Sequence, residues 1–192
     1  MVSGSLALAP EIDALREQFA QIGRDAETLV MPLTDAQFAW QPSPESWSVA
    51  QCLEHLNATA RAYLPKLDDA IAEAIRRGLY GTGPFRYGIV GRWMIRAQGP
   101  PATFKLRAPQ AFHPAASRPR GEIMAAFGAY QVQYIDRLRQ ANGLDLGRAR
   151  VSSPPFPWLR FSLGAGFALT TAHERRHLWQ ASNVVAHPRF PR

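Results

Sequence analysis

The string His173-Glu174-Arg175-Arg176-His177-Leu178-Trp179-Gln180 concentrates the residue types best able to do chemistry in this chain. Histidines four positions apart on a helix differ by about 40° around the axis and about 6 Å along it. Both imidazoles can then approach one metal ion at metal–nitrogen distances of about 2.1 Å. Gln180 follows one turn later on the same side, and Thr170 and Ser162 precede the pair on earlier turns. A polar stripe facing a helical interior is costly unless satisfied, and a metal would satisfy it. The plainer reading is a solvated His/Arg surface, or one hydrogen-bonded core histidine beside an exposed one.

Read literally, the string is also His-Glu-x-x-His, in which zinc proteases use the glutamate as general base. The elongated form of that signature wants a glycine where Gln180 stands and a histidine where Asn183 stands. Other zinc proteases take a third ligand from a later acidic residue, and no aspartate or glutamate follows Glu174. A third metal ligand must therefore come mainly from upstream, where His55 is the best candidate. It lies at the margin of an apolar helical stripe, about 60° from Cys52. Taken alone, such a histidine is more often structural or exposed than a ligand.

Other residues carry two readings each. Glu174 is either a catalytic base or a surface ion-pair partner, and Gln180 either orients a ligand or supports the site through a hydrogen bond. Cys52 could pair with His55 as a nucleophile, although an unpaired cysteine is usually buried and inert. His113 could line a cleft, His187 reads as terminal surface, and Trp40, Trp47 and Trp179 read as packing. Arg86, Arg92 and Arg96 could receive an anionic group, but a solvated helix face explains them equally.

Four amphipathic stretches must position these side chains. The first runs from about Glu11 to Val30, between Pro10 and Pro32, with Ile12, Leu15, Phe19, Ile22, Ala26 and Leu29 on one side. A short turn follows at 34–37. The second opens with Ser48 and Gln51 three positions apart, a capping-box signature, and runs to about Gly78 with Pro65 as a potential kink. The third covers Arg120 to Asn142, with Ile123, Phe127, Tyr130, Tyr134 and Leu138 inward and Asn142-Gly143 as its stop. The fourth begins after Pro157 and reaches about Val185. A shorter helix is expected near 84–97, while Thr103 to Phe112 alternates too loosely for a strand. The expectation is one domain over residues 1–192: an all-α, antiparallel four-helix bundle with a long irregular connection between its second and third helices.

Composition narrows the class. The chain has 192 residues, 46% of them hydrophobic and 19% charged, which excludes a disordered chain. A single cysteine rules out an internal disulfide framework and fits a reducing compartment. The most apolar stretch, 161–172, is far shorter than the roughly 20 residues a bilayer helix needs, so no membrane partner is expected. The N-terminus lacks the basic start and long apolar run of a signal peptide, so a cytoplasmic location is expected. A net charge of +7 permits bulk attraction to nucleic acid, but the arginines are scattered and form no aromatic-interleaved stripe, so nucleic acid is not an expected partner.

The Trp47-Ser48 pair followed at 55–56 by His55-Leu56, joined with His173-x-x-x-His177-x-x-Gln180, resembles the DinB/YfiT-like superfamily. Leu33 to Trp40, Phe104-Lys105, Ala108-Pro109 and Phe112-x-Pro114 share the resemblance, which extends over nearly the whole chain. It implies a four-helix bundle in which His55, His173 and His177 hold a divalent metal. It also implies a metal-dependent hydrolase, or a transferase or isomerase using a low-molecular-weight thiol, and a homodimer. Zinc is the default by ligand type, with nickel and iron compatible with imidazole. The expected reaction is hydrolysis or thiol transfer on a small-molecule substrate, with Glu174 and Gln180 as candidate catalytic residues. The alternative is a non-catalytic bundle that binds a small ligand and keeps a structural metal.

Overall fold

The computed structural model describes residues 7–101, 112–114 and 118–192. Most of the stretch from Thr103 to Phe112, including Phe104-Lys105 and Ala108-Pro109, lies outside them. In chain order the elements are α1 (Pro10–Val30), α2 (Asp35–Ala39), α3 (Val49–Arg76), α4 (Gly88–Gln98), α5 (Arg120–Gln140), β1 (Arg150–Ser152), β2 (Arg160–Ser162) and α6 (Leu163–Val185).

Local chemistry explains most of the boundaries. Pro10 occupies the first turn of α1, where its missing N–H costs nothing. Thr34 and Ser48 each build a full capping box, with Gln37 and Gln51 respectively. At Ser48 the hydroxyl accepts from Gln51 N–H at 3.1 Å and Gln51 Oε1 accepts from Ser48 N–H at 2.8 Å. The two reciprocal bonds satisfy donors that every helix start leaves free. Helix α3 continues through Pro65 to Arg76.

The last helix begins later than periodicity suggests. A two-stranded antiparallel hairpin precedes it, with Val151 opposite Phe161. Three-residue strands are too short for period-two alternation to register in a sequence. Among the described residues the fold is therefore mostly helical, with six helices and one small sheet, rather than purely α.

Helices α1 and α3 each pack on both α5 and α6, which puts α1 and α3 on one diagonal and α5 and α6 on the other. Their directions follow from paired contacts. Phe19 stacks on Tyr134 at 4.8 Å while Gly23 faces Gln131, so α1 and α5 run oppositely. His55 meets His173 while Tyr63 meets Gly166, so α3 and α6 also run oppositely. Asn57 bonds the Ile123 carbonyl and Asp68 takes both arms of Arg137 at 2.9 Å, so α3 and α5 run the same way. Ile12 and Leu15 share a cluster with Leu163 and Phe167, while Ala26 and Val30 share another with Leu178 and Val184, so α1 and α6 are parallel too. The expected antiparallel arrangement therefore holds for α1 with α5 and α3 with α6, while the other two packed pairs run parallel. The long connection after α3 lets the chain return to the end where α3 began before α5 starts, so consecutive long helices need not be antiparallel neighbours.

The interior divides into two apolar clusters along the helices. One holds Phe19, Leu67, Tyr134, Leu138, Leu163 and Phe167. The other holds Ile22, Phe38, Leu53, Leu56, Phe127 and Leu178, and lies nearer the start of α3. Full burial of each such side chain is worth about 1.5–3 kcal/mol. Among the described residues no helix is long and apolar enough to cross a membrane.

Candidate metal centre

The cap at Ser48 fixes the first turns of α3, and His55 stands two turns in with its ring buried. Its Nδ1–H donates to the Phe112 carbonyl at 2.7 Å, where the long connection passes the helix. That bond selects the tautomer and leaves the Nε2 lone pair free on the opposite edge of the ring. From α6, His173 places Nε2 3.3 Å from His55 Nε2 and 3.1 Å from His177 Nε2. The Gln180 carbonyl oxygen accepts from His177 Nδ1–H at 3.1 Å, so the free lone pair of that ring is also on Nε2. The three candidate ligand atoms lie within 4.8 Å of one another.

Trp47, just before the cap, closes one side. Its ring lies 4.9 Å from that of His55 and stacks on that of His177 at 5.6 Å with 26° between planes. Burial pushes all three imidazoles below their usual pKa, His177 to about 3 and His173 well below the ordinary histidine value. Like charge pushes further in the same direction: His177, His55 and Arg176 on His173, His55 and Arg176 on His177, and His113 on His55. Three neutral imidazoles are therefore held with their lone pairs converging.

The donor set fits a divalent ion. Tetrahedral coordination with metal–nitrogen bonds of about 2.1 Å sets ligand nitrogens about 3.4 Å apart. The observed 3.1 and 3.3 Å separations are close to that, and two of the rings already have the outer hydrogen bonds that metal-binding histidines make.

The other residues singled out by sequence distribute differently. Gln180 joins the cluster through His177, whereas Glu174 points into the interior. One carboxylate oxygen of Glu174 accepts from Gln131 Nε2 at 3.1 Å, and burial raises its pKa to about 8. The reading of Glu174 as a surface ion-pair partner is overturned, because a position 100° from His173 on α6 falls on the bundle's inner diagonal. Ser162 caps α6 by accepting from Ala165 N–H, and Thr170 donates to the Gly166 carbonyl. Both are satisfied locally and take no part in the cluster. Cys52 is buried with its thiol pushed up to about 12, so it is a packed side chain and not an activated nucleophile.

His113 is exposed, next to the Phe112 carbonyl, and its charge lowers the His55 pKa. His187 lies beside Trp40, away from the cluster. Trp179, expected to pack, is 39% exposed on the outer side of α6. Arg86, Arg92 and Arg96 are exposed and lie outside the cluster.

Sequence reasoning missed three contributors. Phe112 acts through its backbone carbonyl, which no residue type can signal. Trp47 was read as packing only, although its place directly before the cap puts it within reach of a residue two turns into α3. Gln131 stands four positions after Phe127 and three before Tyr134, on a stripe otherwise apolar, and that polar interruption was a usable signal.

A family model described as the DinB superfamily matches residues 18–181. No curated protein and no solved structure matches the sequence. The matched stretch takes in His55, His173, His177 and the elements between them, and it covers well over half of the chain. The chain belongs to the DinB superfamily.

Proposed function

We propose that this protein is a metal-dependent enzyme acting on a small molecule, with His55, His173 and His177 holding one divalent ion, zinc by ligand type and nickel or iron as compatible alternatives. The observation that carries the reading is the approach of three Nε2 atoms from two helices, with both Nδ1–H groups of His55 and His177 turned outward to oxygen acceptors. We read the whole chain as one domain built to hold that cluster.

When bound, the ion supplies Lewis acidity to an oxygen or sulfur atom of the substrate, which suits hydrolysis or transfer of a low-molecular-weight thiol. The protein's own contributions are distinct. The Phe112 carbonyl and Gln180 lock two rings in the tautomer that presents Nε2. Trp47 shields one flank of the cluster from water and limits approach on that side. Gln180 also has an amide nitrogen with which it can donate to a substrate oxygen. Glu174, bonded to Gln131, ties the middle of α6, between the two ligand histidines, to α5, and we assign it a positioning role.

Metal analysis of the purified protein is expected to give close to one divalent ion per chain. Assays with a panel of esters, and with thiols paired to electrophiles, are expected to show turnover that His173→Ala abolishes. Metal-free protein that gains nothing from added zinc, nickel or iron would defeat the proposal.

A further inference from the structure

The charge of this molecule is unevenly placed. Between Glu73 and Glu122 the sequence has no acidic residue and nine basic ones, and between Asp145 and Glu174 none and three. These two stretches contain α4 and the β1–β2 hairpin, which pack on one another through β2, while the Arg86 backbone lies against Gly147. At the two ends of the first stretch the arginines are paired, Arg76 with Glu73 and Arg118 with Glu54 and Glu122, and so are several on the bundle helices: Arg16 with Asp13, Arg24 with Glu17, Arg137 with Asp68. Among the described residues, Arg86, Arg92, Arg96, Arg150 and Arg160 are exposed and none forms an ion pair.

The same side carries large apolar groups in solvent. Helix α4 turns Gly91, Met94 and Ile95 to the core, as does Tyr87 just before it, with Gly91 tight against Ala165. Its outer face therefore presents Ile89, 80% exposed, and Trp93, 65% exposed, one turn apart and flanked by Arg92 and Arg96. At the hairpin tip Trp158 is 78% exposed and meets Phe156 edge to face at 5.3 Å. Neither set is needed for folding, since each element already buries its other face.

We infer that the side formed by α4 and the β1–β2 hairpin docks on an anionic phospholipid surface. Tryptophan rings settle at the headgroup level and an aliphatic side chain such as Ile89 enters the acyl boundary, while arginines are drawn to anionic headgroups. A second copy meeting this face by a twofold axis would bring the unpaired arginines of two copies together, which like-charge repulsion opposes. A nucleic acid would use the arginines and aromatics but leave Ile89 unexplained. Docking of this kind needs no membrane-spanning helix, and the inference is independent of the metal.

The test is co-sedimentation of the whole protein with vesicles of phosphatidylcholine alone and of phosphatidylcholine mixed equally with phosphatidylglycerol. Binding is expected only to the mixed vesicles, weakening with salt, with a blue shift of tryptophan emission. Arg92→Ala with Arg96→Ala should lower the partition coefficient about 30-fold, roughly fivefold per charge. Ile89→Ser with Trp93→Ser, and separately Trp158→Ser, should each lower binding while leaving helical content and metal content unchanged. Absence of binding to the mixed vesicles, equal binding to neutral ones, binding that none of these variants weakens, or binding to duplex DNA without binding to vesicles would overturn the inference.

Discussion

His55 Nε2 and His173 Nε2 lie 3.3 Å apart, although 118 positions separate them in the chain. Two neutral imidazole nitrogens are brought that close only where a shared proton or a shared cation joins them. His177 adds a third nitrogen at 3.1 Å from His173, more than one shared proton can satisfy. Replacing any of the three by alanine is expected to weaken metal binding by more than the roughly 10–100-fold that a lost outer partner costs. Calorimetric titration of metal-free protein with zinc checks this, and wild-type affinity in any one of the three variants would contradict it.

Gln180→Ala should weaken the same titration by about 10–100-fold, because His177 loses the acceptor that holds its Nδ1–H. Gln180→Glu, which preserves an oxygen at that position, should retain most of the affinity. Equal losses in both variants would show that the amide oxygen does not orient the ring.

Removing the partner of a buried carboxyl is expected to cost stability. Gln131→Ala leaves Glu174 buried without its 3.1 Å donor, at a cost of about 1–3 kcal/mol. Urea unfolding measures it. Glu174→Gln combined with Gln131→Ala should show less loss than the sum of the single changes, as coupled partners do.

Two glycines in α6 make close approach possible. A Cβ on Gly166 would lie 2.5 Å from Tyr63 Oη and 2.7 Å from Val151 Cγ1, and one on Gly164 would overlap the Tyr87 ring. Gly166→Ala should therefore destabilise by about 1–3 kcal/mol, by forcing α3 or β1 away from α6. Gly164→Ala should act mainly on α4, through Tyr87, and raise amide exchange there more than in α3.

Buried acids set an alkaline limit. Burial raises the thiol of Cys52 to about 12 and the Tyr87 hydroxyl to about 12, and pushes the hydroxyls of Tyr63 and Tyr134 well above the usual tyrosine value. Each group keeps its proton in the folded chain after the unfolded chain would release it. The stability these groups contribute is whole below about pH 9, where unfolded cysteine begins to ionise, and is lost as pH rises through the folded values. Urea midpoints should fall from pH 9 to 11, and Cys52→Ala should flatten the early part of that fall. Native Cys52 should also resist alkylation at pH 8 and react on unfolding.

The helices were legible in the sequence because their causes are local. Ser48 and Gln51, or the apolar recurrence from Val49 to Leu67, act within a few residues, so the pattern announces the element. The pairing of His173 with His177 was equally local, since helical geometry alone puts both on one face. His55 stood out upstream only as a candidate, and the resemblance of the two histidine segments to a known family implied it as the third ligand. Other features depended on distant neighbours. Whether Glu174 faced solvent or the interior turned on which side of α6 met α5. The tautomer of His55 depended on where the carbonyl of Phe112 passed, and the parallel pairing of α3 with α5 on how far the intervening chain could travel. A helix's surface pattern specifies that one face is buried, but several partners can bury it at similar free energy. The choice among them is made only when all the faces pack at once.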